Sequence, residues 1–358
     1  MKSSLVAAVV IGLTSGVWSL QAAAENHWNR DHFLGSWRGD VEATHLVSAA
    51  RKDPRVISKL ANERTDAARA ALLRIAYGEL GEGPSAAYAS GLYVASLENK
   101  TDARALLVAT NFDVVVTGVR AILGQPIDPE LMSMVQRLMR CDSARVRGLT
   151  AKLIRLDTNK DTAVEKAEAI ARSMATTSGC VDANDPVATG ELWFDHYWRQ
   201  AELSLAEQAY ALVKIESVPA DFISDLEWNE AALAEEFLSI ARAACGDTAA
   251  RPKLSNILLD SESPLARMMS LSVLRIDPDS GELAAIERMA QYDRFQAKPN
   301  ARYAEVETRK RVETETSGGL VYALRVMARQ ALEDLESDPS LTVRPESVDK
   351  PGEAEPRE

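Results

Sequence analysis

CDSARVRGLTAKLIRLD, from Cys141 to Asp157, and SESPLARMMSLSVLRID, from Ser261 to Asp277, are two versions of one pattern in this 358-residue chain. Each stretch opens on polar turn residues, carries an arginine in its first half and ends on an apolar–Arg–apolar–Asp sequence. The two lie 120 positions apart, and similar openings at Asp66 and Asp102 give steps of 36 and then 40 residues to Asp142. A period near 40 in a sequence with helical texture is typical of stacked helical repeats.

Apolar residues recur at helical spacing through most of the chain. In the segment 66–76, for example, Ala68, Leu72 and Ile75 lie on one face of a helix. Short amphipathic helices cannot bury such faces alone, but stacked neighbouring pairs can. No segment shows the alternating pattern of a half-buried strand. We therefore expect an all-α fold, an irregular α-solenoid of stacked helix pairs with a disordered C-terminal tail.

The two versions of the pattern resemble the second helix of HEAT-like repeats. Such helices often begin with Asp, then a small or apolar residue followed by Arg, then Ala and Leu at helical spacing. The residues that carry the resemblance are Ala144–Arg147 with Ala151 and Leu153, and Ala266–Arg267 with Leu271 and Leu274. The resemblance implies a curved array with a binding face and no catalytic residues. A tetratricopeptide- or Sel1-like array is the alternative, indicated by 87–93 and 102–103.

Changes in composition divide the chain into segments. A Gly-, Asp- and Pro-containing stretch interrupts the middle, and charge and proline dominate the end, where few apolar residues remain to form a core. The predicted segments are a signal peptide at 1–24, an N-terminal cap or irregular lead-in at 25–42, a helical-repeat region at 43–176, a linker at 177–190, a second helical region at 191–336 with its repeat-like unit at 261–277, and a disordered tail at 337–358.

The first 24 residues have the composition of an export signal. Lys2 provides the positive charge, Leu5 to Trp18 form a short interrupted apolar stretch, and Ala22 to Ala24 give a small-residue cleavage site. The apolar stretch is shorter than the roughly 20 residues that span a bilayer. We expect cleavage near Ala24, a periplasmic or secreted protein, and no transmembrane anchor after cleavage.

The charge balance argues against a nucleic-acid partner. The chain has 53 acidic and 41 basic residues and a net charge of −12 at pH 7. Binding to phosphate backbones depends on patches of Lys and Arg that release counterions, whereas an acidic surface repels them. The expected partner is another protein or an envelope component.

Three cysteines, Cys141, Cys180 and Cys245, leave several pairings open. One disulfide and one remaining thiol are plausible outside the cytoplasm. Cys141 and Cys180 are 39 residues apart, about one repeat, so this pair is the disulfide candidate. Cys180 with Cys245 is the competing pair, and three buried thiols are the third possibility.

The segment 157–168, DTNKDTAVEKAE, resembles a calcium-binding EF-hand loop. Asp157, Asn159 and Asp161 occupy positions 1, 3 and 5, and Glu168 occupies position 12, where a bidentate glutamate belongs. Thr162 stands at position 6 in place of the usual glycine, which takes the required sharp turn freely. The same residues also read as a capping box that starts the next helix, Thr162 to Glu165. Ca2+ is the one cofactor that the sequence suggests.

An aromatic cluster at 193–198 is the second candidate site. A helix is predicted from Glu191 to about Glu216, and on it Trp193 would meet Tyr197 while Phe194 would meet Trp198. One aromatic face would pack in the core. The other would bind a partner through Trp193, Tyr197 and Trp198, because Trp and Tyr dominate interface hot spots. Core filling by the whole cluster is the alternative.

No catalytic motif is present. The sequence lacks a His–Glu–x–x–His zinc helix, a Gly-x-Ser-x-Gly elbow, a P-loop and a Gly-x-Gly-x-x-Gly turn. The resulting hypothesis is an exported, non-catalytic helical-repeat protein that acts as a protein-binding or scaffold module. The alternatives are a calcium-binding module that uses 157–168, and an all-α enzyme with a Trp-lined carboxylate cleft near 191–228.

Overall fold

A computed structural model describes residues 41–175, 186–188, 194–215, 232–300 and 319–337 of the protein. These residues are mostly helical, which confirms the predicted all-α class. They fall into two compact units, one of Met1–Ala183 with Tyr210–Pro219 and one of Asn184–Ala209 with Ala220–Glu358. The predicted signal peptide, most of the lead-in and of the linker, and the tail beyond position 337 lie outside the described residues.

The first unit consists of helices packed in pairs. Its helices are α1 (Val41–Lys52), α2 (Arg55–Glu63), α3 (Asp66–Ala76), α4 (Pro84–Ser96), the 3-10 helix η1 (Lys100–Val108), α5 (Phe112–Ala121), α6 (Pro129–Leu138), α7 (Ala144–Leu156) and α8 (Ala163–Ala175). Helix α3 packs against α4, η1 against α5, and α6 against α7. The second helices of these pairs also pack in order, α4 on α5 and α5 on α7. Successive pairs thereby share one continuous core.

The structural repeat is shorter than the period in the sequence. The second helices α4, α5 and α7 begin at positions 84, 112 and 144, in steps of 28 and 32 residues. Asp66 and Asp102 lie in the first helices of their pairs, whereas Asp142 precedes α7, a second helix. The sequence steps of 36 and 40 therefore compare positions that are not equivalent, and a repeat of about 30 residues describes the molecule.

Hydrogen bonds link one pair to the next at a similar spacing. The Tyr77 hydroxyl donates to the Ala105 carbonyl at 2.6 Å, 28 residues along the chain. The Arg137 guanidinium donates to the Leu107 carbonyl at 2.7 Å, 30 residues back. Both acceptors are carbonyls of η1, and the last carbonyls of a helix lack intrahelical donors. Side chains from the neighbouring pairs thus complete the hydrogen bonding of this short helix.

The second unit shows the same alternation of helices. Its helices are α10 (Ala232–Ala244), α11 (Lys253–Asp260), α12 (Pro264–Leu274), α13 (Ser280–Tyr292) and α14 (Ala323–Ser337). Helix α12 packs against α10 and α11, α13 packs against α11, and α14 packs against α13. Helix α9 (Gln200–Lys214) begins in the second unit and ends in the first.

A shared start signal explains the two similar stretches of sequence. In α7 and α12 the hydroxyl of a buried serine accepts a hydrogen bond from the amide three residues later, and an arginine follows one position further on. The pairs are Ser143 with Arg147 and Ser263 with Arg267. Both helices are second members of their pairs, α6 with α7 and α11 with α12. The two helices therefore share the same cap and the same place in their pairs.

In the described part of the second unit, five short strands interrupt the helices, contrary to the prediction of none. Strands β1 (Pro186–Ala188) and β3 (Tyr197–Arg199) pair antiparallel, and β2 (Phe194–Asp195), β4 (Gln296–Pro299) and β5 (Val321–Tyr322) form a three-stranded sheet in the order β2–β4–β5. The predicted helix from Glu191 is wrong over 194–199, because α9 begins only at Gln200. Aromatic residues favour strands, and exposure alternates along β3, with period 2.

The buried side of this sheet forms a small core of its own. Phe194 packs with Ala297 and Val321, all at most 4 % exposed. Among the described residues, no helix has the length and apolar character needed to cross a membrane.

Candidate functional site

The loop between α7 and α8 holds a buried ion pair. The Asp157 side chain, at the C-terminal end of α7, is fully buried, and its Oδ2 lies 2.5 Å from the Nζ of Lys166. Its Oδ1 accepts hydrogen bonds from the backbone amides of Ile127 at 3.2 Å and Asn159 at 3.0 Å. A buried carboxylate needs such partners, because an unpaired charge inside a protein is strongly unfavourable. The loop is thereby fixed to the preceding helix pair.

Lys166 is the residue of this site that the sequence reasoning missed. Its side chain is 3 % exposed, and its ammonium also donates to the Asn159 carbonyl at 2.5 Å. The EF-hand pattern assigns no ligand to this position, so nothing in the motif marked it. The ammonium occupies the place against Asp157 that the calcium hypothesis gives to the metal ion.

The side chains of two other predicted calcium ligands, Asn159 and Glu168, interact with separate groups of the protein. The Asn159 side chain donates to the Ile127 carbonyl at 2.9 Å and accepts from the Asp161 amide at 3.0 Å. Glu168 forms an ion pair with Arg172 one turn later on α8. Within the described ranges, no three His, Cys, Asp or Glu side chains are grouped so that they could hold a metal ion.

Calcium does not fit this arrangement of residues. A calcium ion takes six to eight oxygen ligands, mainly carboxylates and carbonyls, and here the Asp157 carboxylate and the Asn159 carbonyl already face an ammonium group. Binding would require Lys166 to leave both. Calcium at 157–168 stays a prediction of the sequence that this geometry does not support.

The start of α8 differs from the predicted capping box. The Thr162 hydroxyl is buried and has no hydrogen-bond partner among the described residues. The Ala163 amide donates instead to the Lys160 carbonyl at 3.2 Å. The loop therefore turns into the helix through a backbone hydrogen bond.

A cavity of about 210 Å³ opens beside this loop. The lining residues come from α7, the loop, α8 and the end of α9, all within the first unit. They are Ile154, Asp157, Thr158, Asn159, Lys160, Ala163, Lys166, Lys214 and Ile215. We call it the lysine cavity, because three lysines and a single carboxylate line it. With Asp157 neutralised by Lys166, the lining keeps a net positive charge.

The aromatic cluster divides into one exposed and several buried side chains. Tyr197 is 71 % exposed, whereas Trp198 is 2 % exposed. The Trp198 ring lies 5.1 Å from the His196 ring and 6.1 Å from the Phe295 ring, measured between centroids. Of the predicted partner-binding residues, Tyr197 is accessible, Trp198 packs inside the protein, and Trp193 lies outside the described residues.

Carboxylates also lie close together in the second unit, and one of them, Glu202, falls within the cleft predicted near 191–228. The Glu202 side chain is 5 % exposed and lies 3.1 Å from the Arg199 guanidinium. Glu236, on α10, accepts a hydrogen bond from the Ser261 hydroxyl at 2.7 Å. Burial raises the pKa of Glu236, and the charges of Glu202 and Glu262 raise it further. A raised pKa favours the protonated carboxyl group, which is the form that can donate a proton. Of the predicted cleft, 191–193 and 216–228 lie outside the described residues.

The predicted disulfide involves one described residue. Cys141 lies in the turn before α7, and Cys180 is outside the described ranges. The pairing of these two cysteines stays a prediction.

No family model, curated protein or solved structure matches this chain.

Proposed function

We propose that this protein is an exported, non-catalytic module of the HEAT-like type that binds another protein or an envelope component. The supporting observation is the alternation of first and second helices, at steps of about 30 residues in the first unit and with the same packing order in the second. Arrays of this kind have extended surfaces, because each pair contacts only its neighbours. The step from such an array to binding is an analogy between architectures, which the following experiment tests.

Tyr197 is the best contact residue that the structure offers. It projects from β3, which pairs with β1 along Pro186–Ala188. The next residue, Trp198, is buried and anchors the strand. A rigid, exposed tyrosine provides a large contact area with little loss of conformational entropy, and tyrosine is enriched among interface hot spots.

The test is affinity capture of the partner from the exported fraction with the full-length protein. Tyr197→Ala is expected to weaken binding of the captured partner about 30-fold, as for a hot spot of about 2 kcal/mol. Tyr292→Ala is the matched control, because Tyr292 is also exposed, at 67 %, and should leave binding unchanged. Both variants should keep the melting temperature of the parent. Equal binding by all three proteins, or a loss of folding in Tyr197→Ala, would contradict the proposed role of Tyr197.

The raised pKa of Glu236 favours a second candidate function, an enzyme that uses Glu236 as a proton donor beside Glu202. Hydrolytic activity on glycoside or ester substrates should then be lost in Glu236→Gln. The exposed neighbour Glu235, which pairs with Lys253 at 3.1 Å, provides the control variant Glu235→Gln. Activity that survives Glu236→Gln would exclude this role.

A further inference from the structure

We propose that the lysine cavity binds a small organic anion, a carboxylate or phosphate group on a short apolar body. This site lies in the first unit and does not involve Tyr197, so it is independent of the proposed partner binding. The sequence suggested that this loop binds Ca2+. In the structure, the positive charge beside Asp157 is the ammonium group of Lys166.

The first argument is the unused donor of Lys166. A lysine ammonium has three N–H donors. Two of them face Asp157 and the Asn159 carbonyl, and no acceptor for the third lies in the described part of the chain. Lys166 lines the cavity with a side chain that is 97 % buried. A buried donor without an acceptor is unfavourable, and an anion in the cavity would supply that acceptor.

The second argument is the charge around the opening. Lys160 and Lys214 are exposed and line the same cavity. The single carboxylate of the lining, Asp157, is occupied by Lys166 and by two backbone amides. An approaching anion therefore meets the positive charge of Lys214 at the opening.

The start of α8 adds to this positive potential. The helix has 13 residues and begins at Ala163, which lines the cavity. The N-terminal end of a helix favours negative charge, because its first amides lack intrahelical acceptors. The neighbouring Thr162 hydroxyl is buried without a partner.

The volume of the lysine cavity and the residues that line it limit the class of ligand it can hold. A volume of about 210 Å³ is below the range of roughly 300–1,000 Å³ that is typical of drug-sized ligands. Ile154, Ala163 and Ile215 contribute apolar surface to the lining. The cavity therefore suits an anion with a few carbon atoms rather than a nucleotide or a peptide.

The experiment is calorimetric titration of the full-length protein in Tris chloride buffer with acetate, butyrate and inorganic phosphate. Saturable binding of at least one anion is expected, with butyrate tighter than acetate if a carboxylate is preferred. Lys214→Ala should weaken that binding about tenfold, which corresponds to about 1.4 kcal/mol. Lys59→Ala is the control, because Lys59 is an exposed lysine of α2 that does not line the cavity. Added sodium chloride should weaken binding in the parent through screening.

Three results would overturn the proposal. These are no saturable heat with any of the three anions, equal binding by Lys214→Ala and the parent, or binding of calcium in place of the anions. Since Lys214 is exposed, its substitution should leave the melting temperature unchanged. Partner capture through Tyr197 is a separate measurement, and its failure would leave the anion result intact.

Discussion

Single residues carry charge into the interior of this protein. Lys166 is balanced by Asp157, and Arg267 pairs with Asp293. Arg147, only 2 % exposed, donates to the Cys141 carbonyl at 3.0 Å, but its Nε and Nη2 have no hydrogen-bond partner in the described structure. Buried charges are strongly destabilising when one partner is removed. Substitution of these buried charged residues, or a change in their protonation, should therefore change the free energy of unfolding.

Glu236 is expected to make stability depend on pH. Its folded pKa is raised above the unfolded value of about 4.3, so the folded state binds more protons between these two values. The free energy of unfolding should therefore fall as pH rises through this window. Glu236→Gln, which keeps an acceptor for the Ser261 hydroxyl, should be more stable than the parent at pH 7 and lose that advantage near pH 4. Thermal unfolding across this pH range measures the effect.

Glu235→Gln is the control for this prediction. Glu235 is exposed and makes the smallest of the three carboxylate contributions to the pKa of Glu236, so its substitution should change the pH dependence of stability much less than Glu236→Gln. A Glu236→Gln variant with the same pH profile as the parent would show that Glu236 has an ordinary pKa.

Gly118 permits a close approach between α5 and η1. A Cβ added at this position would lie 2.8 Å from the Leu106 Cβ and 3.3 Å from the Ala103 carbonyl oxygen. Gly118→Ala should therefore destabilise the protein by about 1–3 kcal/mol through overpacking. Gly91→Ala, in the open on α4, should instead stabilise it by about 0.5–1 kcal/mol. Urea unfolding of both variants shows whether each substitution lowers or raises the free energy of unfolding. Stabilisation by Gly118→Ala would refute the close contact between α5 and η1.

At the level of helices, the stability of α7 and α12 depends on their serine caps, and α7 is also joined to α8 by an ion pair. Ser143 and Ser263 begin α7 and α12, and the Asp157–Lys166 pair joins the end of α7 to the start of α8. Such short helices are marginal in isolation. Their stability in the protein comes from these local devices together with burial against the adjacent pairs.

The two serine caps should have similar energetic effects. Ser143→Ala and Ser263→Ala each remove a hydroxyl that accepts an amide proton, at 3.4 Å from Val146 and 3.2 Å from Ala266. Each substitution should cost about 1 kcal/mol of stability. Ser133→Ala, a half-buried position within α6 that caps no helix, should cost much less. Chemical denaturation measures all three, and a negligible effect at both caps would contradict their role.

The Asp157–Lys166 pair should show strong coupling in a double-mutant cycle. Lys166→Met leaves the fully buried Asp157 carboxylate without its cation and should cost about 3–5 kcal/mol. The double variant Asp157→Asn with Lys166→Met should recover much of that loss, because no charge remains buried. The exposed Glu168–Arg172 pair is the control, and Glu168→Ala should cost less than about 0.5 kcal/mol. Additive effects at positions 157 and 166 would argue against the ion pair.

For the whole molecule, calcium should not change stability. A ligand that binds the folded state raises its melting temperature by mass action, but Lys166 occupies the place of the ion beside Asp157. Differential scanning calorimetry with calcium and with a chelator should give the same melting temperature. A rise with calcium that Asp161→Ala removes would restore the EF-hand interpretation of 157–168.

Local sequence was sufficient for the helical class of the fold, although it predicted a helix over 194–199, where the structure has strands. Helical periodicity and a capping serine act within a few residues, so their effects can be read along the chain. The repeat length could not be read in this way, because Asp66, Asp102 and Asp142 do not occupy equivalent places in their pairs. Whether a helix is first or second in its pair depends on which neighbours cover it.

The amino-acid sequence by itself determined that this protein is built from short capped helices that must stack, because their apolar faces have no other way to leave water. Only the tertiary structure decided the contacts of the aromatic cluster at 193–198 and of the loop at 157–168. Phe194 is in a strand because it pairs with Pro299, 105 positions away, and Asp157 faces a lysine because folding buries both charges together. At both positions the partner comes from a distant part of the chain, so the local sequence could not show which contact would form.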